Sequence, residues 1–363
     1  MNIFHNPLHH LHRGRHEMYR GRLVPCHEVP DRLDHVLAEL KRRALGPLSA
    51  PAEPPDLDAV LARVHTPRYL DFIANAWDEW VALDPSNAEL DALPSVWPGA
   101  AFRHDVLPHN FAARMGLFSF DAGTPLTAGA WVAARAGAAC AVHAARHVAG
   151  AALARDAAGG STVSRAGQPA AFVLTRPPGH HAGPDFFGGY CFLNNPALAA
   201  QTLLDGGLQR VAVLDVDYHH GNGTQSIFYE RADVLTVSIH GDPLTEYPFF
   251  LGHADECGAG AGQGCNLNLP LPRGAGFAVW RQALQRGMAA LQTFDAQALV
   301  VALGVDTFEG DPISGFTLKS ADYLQVGLDI AALGLPTVIV FEGGYAVAEV
   351  GVNAANVLEG FGR

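Results

Sequence analysis

The second half of the chain alternates short apolar runs with longer amphipathic segments, and this alternation constrains the fold more than any other feature. Continuous apolar runs rich in valine, leucine and isoleucine are typical of strands that are buried on both faces of a parallel sheet. Strand–helix–strand order joins such strands by right-handed crossovers. The predicted strands are 171–175, 211–216, 234–239, 298–303 and 337–341, and the predicted helices between them are 197–204, 277–294 and 320–332.

The first half is predicted to be mainly helical, with one long irregular segment. Helical patterns cover 30–43, 66–81 and 129–148, whereas residues 84–125 are rich in proline, glycine and aromatic side chains. A loop of this length in a compact domain is usually functional, interface-forming or disordered, and its aromatic side chains argue against disorder. A glycine- and serine-rich stretch at 157–169 is predicted to be a surface connection.

These patterns predict the fold class and the domain organisation together. We expect a single α/β domain over residues 1–363, built as three layers, α/β/α, around a mostly parallel central sheet. The long loop at 84–125 is expected to be an insertion in the N-terminal half of that domain.

Composition excludes several classes of protein. With 363 residues, of which 49% are hydrophobic and 17% charged, the chain can bury a large core, so a disordered protein is excluded. A formal net charge of −12 argues against a nucleic-acid partner, which would need an extended basic surface. No apolar run reaches the roughly 18 residues of a membrane helix, and the five cysteines are scattered without C-x-x-C spacing. We expect a cytoplasmic protein with reduced thiols and without a membrane partner.

Candidate metal ligands follow two of the predicted strands, 211–216 and 298–303. Asp217 and His219 stand two residues apart on an extended segment, so their side chains point to the same side. Asp306 occupies the equivalent place after the other strand. If the two strands are neighbours, the three side chains form a metal site with open positions, which is typical of a catalytic ion. Each residue alone is more often a helix cap, a turn residue or a structural histidine, but the joint pattern favours the metal site.

Candidate catalytic groups stand in two further motifs. His180 and His181 follow a predicted strand and a rigid Pro-Pro-Gly turn, which would present both imidazoles to a cleft. Asp215 could orient one ring and neutral Asn222 the other, which would give the two rings different basicities for base and acid catalysis. Tyr345 ends a Glu-Gly-Gly-Tyr motif and could donate a hydrogen bond to a developing oxyanion. The alternatives are a surface histidine pair and an ordinary turn.

Motifs that carry a family resemblance extend nearly from end to end of the chain. They are Glu17-Met-Tyr19, Arg176-Pro-Pro-Gly-His-His-Ala-Gly183, Phe187-Gly-Gly-Tyr-Cys-Phe192, Asp215-Val-Asp-Tyr-His-His-Gly-Asn-Gly223 and Glu342-Gly-Gly-Tyr345. Together they resemble the zinc-dependent histone deacetylase superfamily, and most closely its bacterial acetylpolyamine amidohydrolase branch. The resemblance implies the arginase/deacetylase fold and a zinc-dependent deacetylase.

The resemblance also implies a role for each candidate residue. Asp217, His219 and Asp306 would bind one zinc ion per chain, although ferrous iron is compatible with the same ligands. The implied catalytic residues are His181 as general base and acid, His180 as its electrostatic partner and Tyr345 as the group that polarises the scissile carbonyl. A structural potassium ion is implied behind the zinc. Its implied ligands are the side chains of Asp215, Asp217 and Ser238 and main-chain oxygens that include those of His219 and Ile239.

The same resemblance implies a narrow substrate tunnel with aromatic walls, which selects a slim alkyl chain. The loop at 84–125 matches an insertion that forms a homodimer interface and narrows the mouth of the active site in that branch. The residues expected along the tunnel are Glu17, Phe187, Gly189, Tyr190, Tyr247 and Ile313.

The implied substrates are small N-acetylated amines, such as acetylpolyamines, acetylputrescine and acetylcadaverine, which would yield acetate and the free amine. Polyamine-selective relatives use carboxylates in the insertion to hold distal ammonium groups, but between residues 99 and 120 this chain has only Asp105. Long polyamines are therefore less favoured than short acetylated diamines. Acetyl-lysine peptides and other small amides also fit the pattern.

Two other functions remain as alternatives. A binuclear manganese ureohydrolase of the same architecture would need further aspartates, but Gly221 and Phe308 occupy those places. A non-catalytic binder of acetylated ligands would be expected to lose a metal ligand, the histidine pair or the tyrosine, and all of these are present.

Overall fold

The computed structural model describes residues 1–157 and 168–363 of the chain. Ten strands and ten α-helices occur within these ranges. The strands are β1 (Asn2–His5), β2 (His16–Tyr19), β3 (Arg22–Pro25), β4 (Leu48–Ser49), β5 (Ala170–Leu174), β6 (Val211–Asp215), β7 (Val234–Gly241), β8 (Asn266–Leu271), β9 (Ala298–Leu303) and β10 (Thr337–Phe341). The α-helices are α1 (Asp31–Arg43), α2 (Leu57–Leu61), α3 (Pro67–Leu83), α4 (Phe111–Phe118), α5 (Ala130–Ala157), α6 (Asn195–Asp205), α7 (Asn222–Phe228), α8 (Phe277–Phe294), α9 (Asp322–Ala331) and α10 (Val347–Phe361).

Eight of the strands form one sheet in the order β4-β1-β5-β10-β9-β6-β7-β8, and each pairing within it is parallel. The strands β2 and β3 form a separate antiparallel hairpin. Parallel strands end at the same edge of a sheet, so the loops that follow the neighbouring strands β5, β10, β9 and β6 meet at one place. Most motifs singled out in the sequence lie in or beside these four loops, whereas Glu17-Met-Tyr19 lies on β2.

Side chains alternate between the two faces of the sheet, and each face has its own core. On β6, Val211 and Val213 belong to the core that includes α3, α5 and α6. Ala212 and Leu214 belong to the core that includes α1, α8, α9 and α10. Because a strand exposes successive side chains to opposite faces, a run that is apolar at each position buries both. The predicted three-layer α/β/α architecture is confirmed.

The five predicted strands are all present, and β9 and β10 have the predicted bounds. The sequence patterns do not predict β1, β4 or β8. The first of these lies in a polar, histidine-rich stretch, and β8 is an edge strand in which asparagine alternates with leucine. The helices α2, α7 and α10 and the hairpin strands β2 and β3 are likewise unpredicted. The predicted surface connection at 157–169 lies for the most part outside the described residues.

The helix α5 spans 28 residues and packs against the sheet through small, mostly alanine side chains. Small side chains let the helix approach the sheet closely. At Gly137, a Cβ atom would lie only 2.2 Å from Thr175 Oγ1, just beyond β5.

Across the two described ranges, no helix combines the length and the apolarity that crossing a membrane requires.

The segment 84–125 is more ordered than its composition predicts. It contains a short 3-10 helix, Pro85–Glu89, and the helix α4, so the prediction of an irregular loop is wrong at these positions. Asn110 begins α4 by accepting a hydrogen bond from the Ala113 N–H at 3.1 Å. Phe118 then stacks on Phe72 of α3, with ring centroids 4.8 Å apart. The local signals for α4 are an N-cap asparagine and helix-forming residues, and aromatic packing on α3 anchors the helix.

Candidate active site

Asp217, His219 and Asp306 converge at the edge of the sheet, as the sequence predicts. Asp217 and His219 follow β6, and Asp306 follows β9, which pairs directly with β6. The Nδ1 atom of His219 lies 2.9 Å from an Asp306 oxygen and 3.4 Å from an Asp217 oxygen. All three side chains are buried, and they offer one ligand atom each within 4.8 Å of one another. The structure therefore brings together a set of atoms that can hold a metal ion.

The electrostatics of this cluster fit a divalent ion. Burial raises the pKa of Asp306 to about 8, and the neighbouring charge of Asp217 adds to the rise. Burial disfavours the charged form of His219, but its hydrogen bonds with Asp217 and Asp306 raise its pKa to about 10. The protein thus crowds two carboxylates around one imidazole in a buried space, where a divalent cation would neutralise both of them. Such oxygen and nitrogen donors suit a transition metal.

The two histidines of the β5 loop have different hydrogen-bond partners. His180 Nδ1 lies 2.8 Å from an Asp215 oxygen, and His181 Nδ1 lies 2.6 Å from the Asn222 side-chain oxygen. Burial would lower the pKa of His180, but the charges of Asp215 and Asp217 raise it to about 10. Burial lowers the pKa of His181 well below its ordinary value, and the charge of His180 lowers it further. The pair therefore contains one charged and one neutral ring.

Glu342, which follows β10, holds in place the loop after β5 that carries His180 and His181. One of its carboxylate oxygens accepts the main-chain N–H groups of Gly179 at 2.6 Å and His180 at 3.0 Å. The adjacent Gly343 donates its N–H to Asp217 at 2.8 Å, and a Cβ atom at this glycine would lie 2.4 Å from the same oxygen. Only glycine fits this close approach. The sequence motif signals the loop, but not these contacts.

Tyr345 ends the same loop and lines a cavity that is described below. Arg32 of α1 stacks over its ring, with the guanidinium carbon 4.4 Å from the ring centroid. The same guanidinium donates hydrogen bonds to the main-chain oxygens of Gly344 and Glu342, both at 2.6 Å. Burial raises the pKa of the Tyr345 phenol well above its ordinary value, although Arg32 opposes the rise. The hydroxyl therefore remains protonated and can donate a hydrogen bond.

A cavity of about 580 Å³ leads to these residues, with His181, His219 and Tyr345 in its lining. Phe187, expected along the tunnel, does not line the cavity and is corrected: its side chain is buried in the core, where it stacks on Phe192. The preceding residue, Phe186, lines the cavity instead, because successive side chains of an extended segment point to opposite sides. The other expected tunnel residues, which all line the cavity, are Glu17, Gly189, Tyr190, Tyr247 and Ile313.

Phe120 and Asp121 also line the cavity, and the motifs do not single them out. Phe120 stacks on Tyr247, with ring centroids 5.8 Å apart. Asp121 accepts hydrogen bonds from the Tyr247 hydroxyl at 2.6 Å and from the Gly189 N–H at 2.7 Å. Both residues stand at the end of an aromatic-rich segment, and Asp121 is the first acid after Asp105, which makes it the candidate in the sequence to replace the missing carboxylates of the insertion. The side chains that form the walls are thus held together by a carboxylate.

The residues implied for potassium lie on β6, β7 and the loop after β6. Asp215 and Ser238 are partners in the register of the two strands. Asp215 also accepts the Asp217 N–H at 3.1 Å, so its two oxygens serve different neighbours. The Ser238 hydroxyl lies 2.7 Å from His240 Nδ1. His219 and Ile239, whose main-chain oxygens complete the implied set, are both buried.

A buried ion-pair network lies behind residues 342–346, the loop that carries Tyr345 and is called the tyrosine loop below. Glu28 accepts hydrogen bonds from Arg32 and from Arg176, both at 2.8 Å, and none of the three side chains is more than 2% exposed. Burial favours the neutral form of Glu28, but Arg176 and Arg32 outweigh it and lower the pKa from 4.5 to about 2. Glu28 therefore stays charged and fixes both arginines.

Replacing Glu28 with glutamine is expected to lower the free energy of unfolding by about 3 kcal/mol at neutral pH, because two buried guanidinium groups lose their counter-charge. A carboxylate with a lowered pKa stabilises the fold above its unfolded-state pKa and loses that contribution as the pH falls through the folded-state value. The difference in the free energy of unfolding between native protein and variant should have its full value above about pH 5 and should shrink as the pH falls towards about 2. Urea titrations across this pH range measure it.

Glu39→Gln is the matched control for this experiment. Glu39 also binds two arginines, Arg42 and Arg43, but on the outer face of α1, where the Arg42 side chain is 67% exposed. Ion pairs at the surface contribute roughly 0–1 kcal/mol each. Equal losses in the two variants would show that burial of the network does not set its contribution.

Comparison with known proteins assigns nearly the whole chain to one family. A family model described as the histone deacetylase domain matches residues 26–361. The chain is 50% identical over 357 residues to acetylpolyamine amidohydrolase 2 of Pseudomonas aeruginosa, covering 97% of this chain and 96% of that protein. It is 44% identical over 360 residues to the acetylpolyamine amidohydrolase of Mycoplana ramosa, with 99% of each chain covered.

A solved structure agrees with this assignment. The acetylpolyamine aminohydrolase from Burkholderia pseudomallei superposes with a TM-score of 0.86 at 38% sequence identity. The match covers 100% of this chain and 98% of that one. The chain therefore belongs to the histone deacetylase family.

Proposed function

We propose that this protein is a deacetylase that hydrolyses small N-acetylated amines to acetate and the free amine. The observation that carries the proposal is that His181, His219 and Tyr345 line one cavity with aromatic walls. A base, a metal ligand and a hydroxyl donor thus face the same space. Relatives that are 50% and 44% identical over nearly the whole chain are named acetylpolyamine amidohydrolases, which supports the substrate class.

Asp217, His219 and Asp306 are proposed to hold one zinc ion, with ferrous iron as the other candidate. Their buried oxygen and nitrogen atoms lie within 4.8 Å of one another, as a tetrahedral site with an open position requires. When bound there, such an ion polarises the acetyl carbonyl and lowers the pKa of water. The protein contributes the position of these ligands and the aromatic walls of the cavity that leads to His219.

His181 is proposed as the general base and then the general acid. Asn222 accepts the Nδ1–H of His181, so that Nε2 carries a lone pair that can take a proton from water. His181 lines the cavity, whereas His180 is placed behind it and bound to Asp215. After the water attacks, His181 returns the proton to the leaving amine nitrogen. His180 acts as the electrostatic partner of this ring.

Tyr345 is proposed to stabilise the negative charge that develops on the acetyl oxygen. Its hydroxyl stays protonated, and Arg32 holds both its ring and the carbonyl groups of its loop. A donor that is already in position needs no reorganisation when the charge appears.

Two further features are proposed from the family resemblance. Asp215, Asp217, Ser238 and the main-chain oxygens of His219 and Ile239 would hold a structural potassium ion. The pairing of Asp215 with Ser238 across β6 and β7 supports this arrangement. Metal analysis of protein prepared with potassium or sodium as the only monovalent cation would test it.

The segment 84–125 is proposed to form a homodimer interface that narrows the mouth of the cavity. It exposes large apolar side chains that include Val96 and Phe102, 57% and 69% exposed, and a second copy could cover them. Phe120 and Asp121, at the end of the same segment, line the cavity. Sedimentation of the purified protein distinguishes a dimer from a monomer.

The charges around the cavity favour a short cationic amine. Among the acids of its lining, Glu17 binds His27 at 2.7 Å and Glu246 binds Arg273 at 3.0 Å, whereas Asp121 accepts hydrogen bonds from neutral donors. Asp121 thus carries a negative charge that a substrate ammonium group can approach. Asp105, the acid in the middle of the insertion, is paired with Arg103. The candidate for holding a more distant ammonium group is therefore already neutralised.

The geometry at Gly221 argues against a binuclear ureohydrolase. A Cβ atom at this position would lie 2.2 Å from the Asp215 oxygen that binds His180. A second metal ligand two residues after His219 would therefore collide with the partner of the histidine pair. This contact supports a site for a single metal ion.

The metal-loaded protein is expected to hydrolyse N-acetylputrescine and N-acetylcadaverine in preference to acetylspermine and an acetyl-lysine peptide. N-Pentylacetamide, in which a methyl group replaces the ammonium of N-acetylputrescine, tests the charge alone. Its kcat/KM should be at least about 10-fold lower than that of N-acetylputrescine, since a hydrogen bond to a charged group contributes roughly 1.5–3 kcal/mol. Released acetate is measured for each compound.

Other results of the same assay would select the alternatives. Preference for the peptide would indicate an open mouth and a peptide deacetylase. Urea released from arginine would indicate the ureohydrolase. Bound metal without hydrolysis of any compound would indicate another small amide as substrate, or a binder of acetylated ligands.

A further inference from the structure

Asp311 is a buried carboxylate that has no part in the proposed chemistry. One of its oxygens accepts the main-chain N–H groups of Tyr345 at 2.7 Å and Ala346 at 3.3 Å. The other oxygen accepts the N–H of Ile313 at 3.1 Å. Asp311 belongs to the loop after β9, which also carries Asp306, whereas Tyr345 belongs to the loop after β10. One side chain thus joins the loop of a proposed metal ligand to the loop of the proposed oxyanion donor.

The environment of Asp311 is costly for a carboxylate. The residue is only 9% exposed, and burial raises its pKa, although the N–H groups of Tyr345 and Ile313 oppose the rise. Within the described residues, no lysine, arginine or histidine nitrogen lies within 4.0 Å of its oxygens. A buried acid without a basic partner is retained only where its hydrogen bonds offset the loss of solvation. All of those bonds go to main-chain donors of the two loops.

The tyrosine loop needs hydrogen bonds of this kind to keep one conformation, because its sequence makes it flexible. Two glycines precede Tyr345, and Gly344 has a positive φ of 133°. Glycine allows this conformation but does not fix it. Upstream of the tyrosine, Arg32 binds the carbonyl groups of Glu342 and Gly344. At the tyrosine itself, the main-chain N–H is bound by Asp311.

We propose that Asp311 is a positioning residue for Tyr345, which sets the direction of the phenol by fixing the main chain from which it extends. The proposal rests on the role of Tyr345 in the proposed function. Arg32 holds the face of the ring and Asp311 holds its backbone, so the hydroxyl is directed from two sides. A different role is also testable, in which Asp311 stabilises the Asp306 loop and hence the metal site.

A double-mutant cycle in the metal-loaded enzyme separates the two roles. Asp311→Ala removes both acceptor oxygens, so no atom of the side chain can bind the N–H groups of Tyr345 and Ala346. It is expected to lower kcat about 10-fold with little change in KM, since a misplaced group costs up to about 10²-fold. In a Tyr345→Phe background the same change should lower kcat less than about 2-fold, because the hydroxyl is already absent. Metal content should stay at the native value in all variants.

Several results would overturn the proposal. They are an equal loss of kcat in both backgrounds, a loss of metal from Asp311→Ala, and full turnover of Asp311→Ala. The failure of the proposed function looks different: Tyr345→Phe alone would then retain native turnover. Asp322→Ala is the matched control, since Asp322 accepts the N–H of Lys319 at 2.8 Å at the start of α9, and its side chain makes no hydrogen bond to the described residues of the tyrosine loop. Its kcat should equal that of the native enzyme.

Hydrogen exchange in the unmodified enzyme tests the proposal without relying on any variant being folded. If Asp311 binds the amides of Tyr345 and Ala346, both should exchange slowly, although they lie in a loop between β10 and α10. Exchange of both amides at the rate of an exposed loop would mean that Asp311 does not hold them, and would overturn the proposal.

Discussion

Replacing Asp306 with alanine is expected to abolish metal binding and turnover together. The variant removes one of the three side chains whose ligand atoms lie within 4.8 Å of one another. It leaves His219 without its 2.9 Å partner, so the ring loses its orientation as well as a neighbour. A metal ion supplies several kcal/mol of charge stabilisation, so its loss should lower kcat by about 10³-fold or more.

Elemental analysis of the purified variant measures the metal, and released acetate measures turnover. Counting zinc and iron in the native protein also decides which ion the site holds. Glu309→Ala is the matched control, since Glu309 is an exposed carboxylate in the same loop. It should retain native metal content and native kcat. Full metal content in Asp306→Ala would remove this aspartate from the metal site.

The arrangement of the strands shows what the sequence can and cannot predict. Each long apolar run has a clear start and stop, which is why β9 and β10 are predicted to the residue. The order of strands in the sheet does not follow from these runs. Asp217 and Asp306 meet because β6 pairs with β9, although β7 and β8 lie between them along the chain. The motif therefore predicts the ligands, and long-range pairing decides that they converge.

Local sequence patterns do not predict the side chains that hold the site residues in position. Arg32 lies in an ordinary amphipathic helix, yet it binds the carbonyl group of a residue 312 positions later. Asp311 follows a glycine in a loop and could as well be a turn residue. Phe187 shows a limit of a different kind, since a single residue of offset moves an aromatic ring from the cavity, where Phe186 lies, to the core. Contacts of this kind depend on the packing of the whole domain.

Tyr345→Phe is expected to keep the metal, the fold and KM, and to lower kcat by about 10²–10³-fold, as the loss of an oxyanion donor does. The substitution removes a single hydroxyl group. Arg32 can still stack on the phenylalanine ring, and the Tyr345 main chain still binds Asp311. Because burial keeps the phenol protonated, the native enzyme should not lose activity through this group at moderately alkaline pH. Steady-state kinetics and metal analysis on one preparation test each part.

The kinetic constant that changes, kcat or KM, decides the role of Tyr345. An interaction made only in the transition state lowers kcat and kcat/KM equally when it is removed, whereas one that binds substrate raises KM. Tyr229→Phe, which removes a hydroxyl at the end of α7, controls for the substitution and should leave both constants unchanged. A rise in KM with native kcat would mean that Tyr345 only binds the substrate, as part of the cavity lining together with Tyr190 and Tyr247. The charge on the acetyl oxygen would then have to be stabilised by the metal alone.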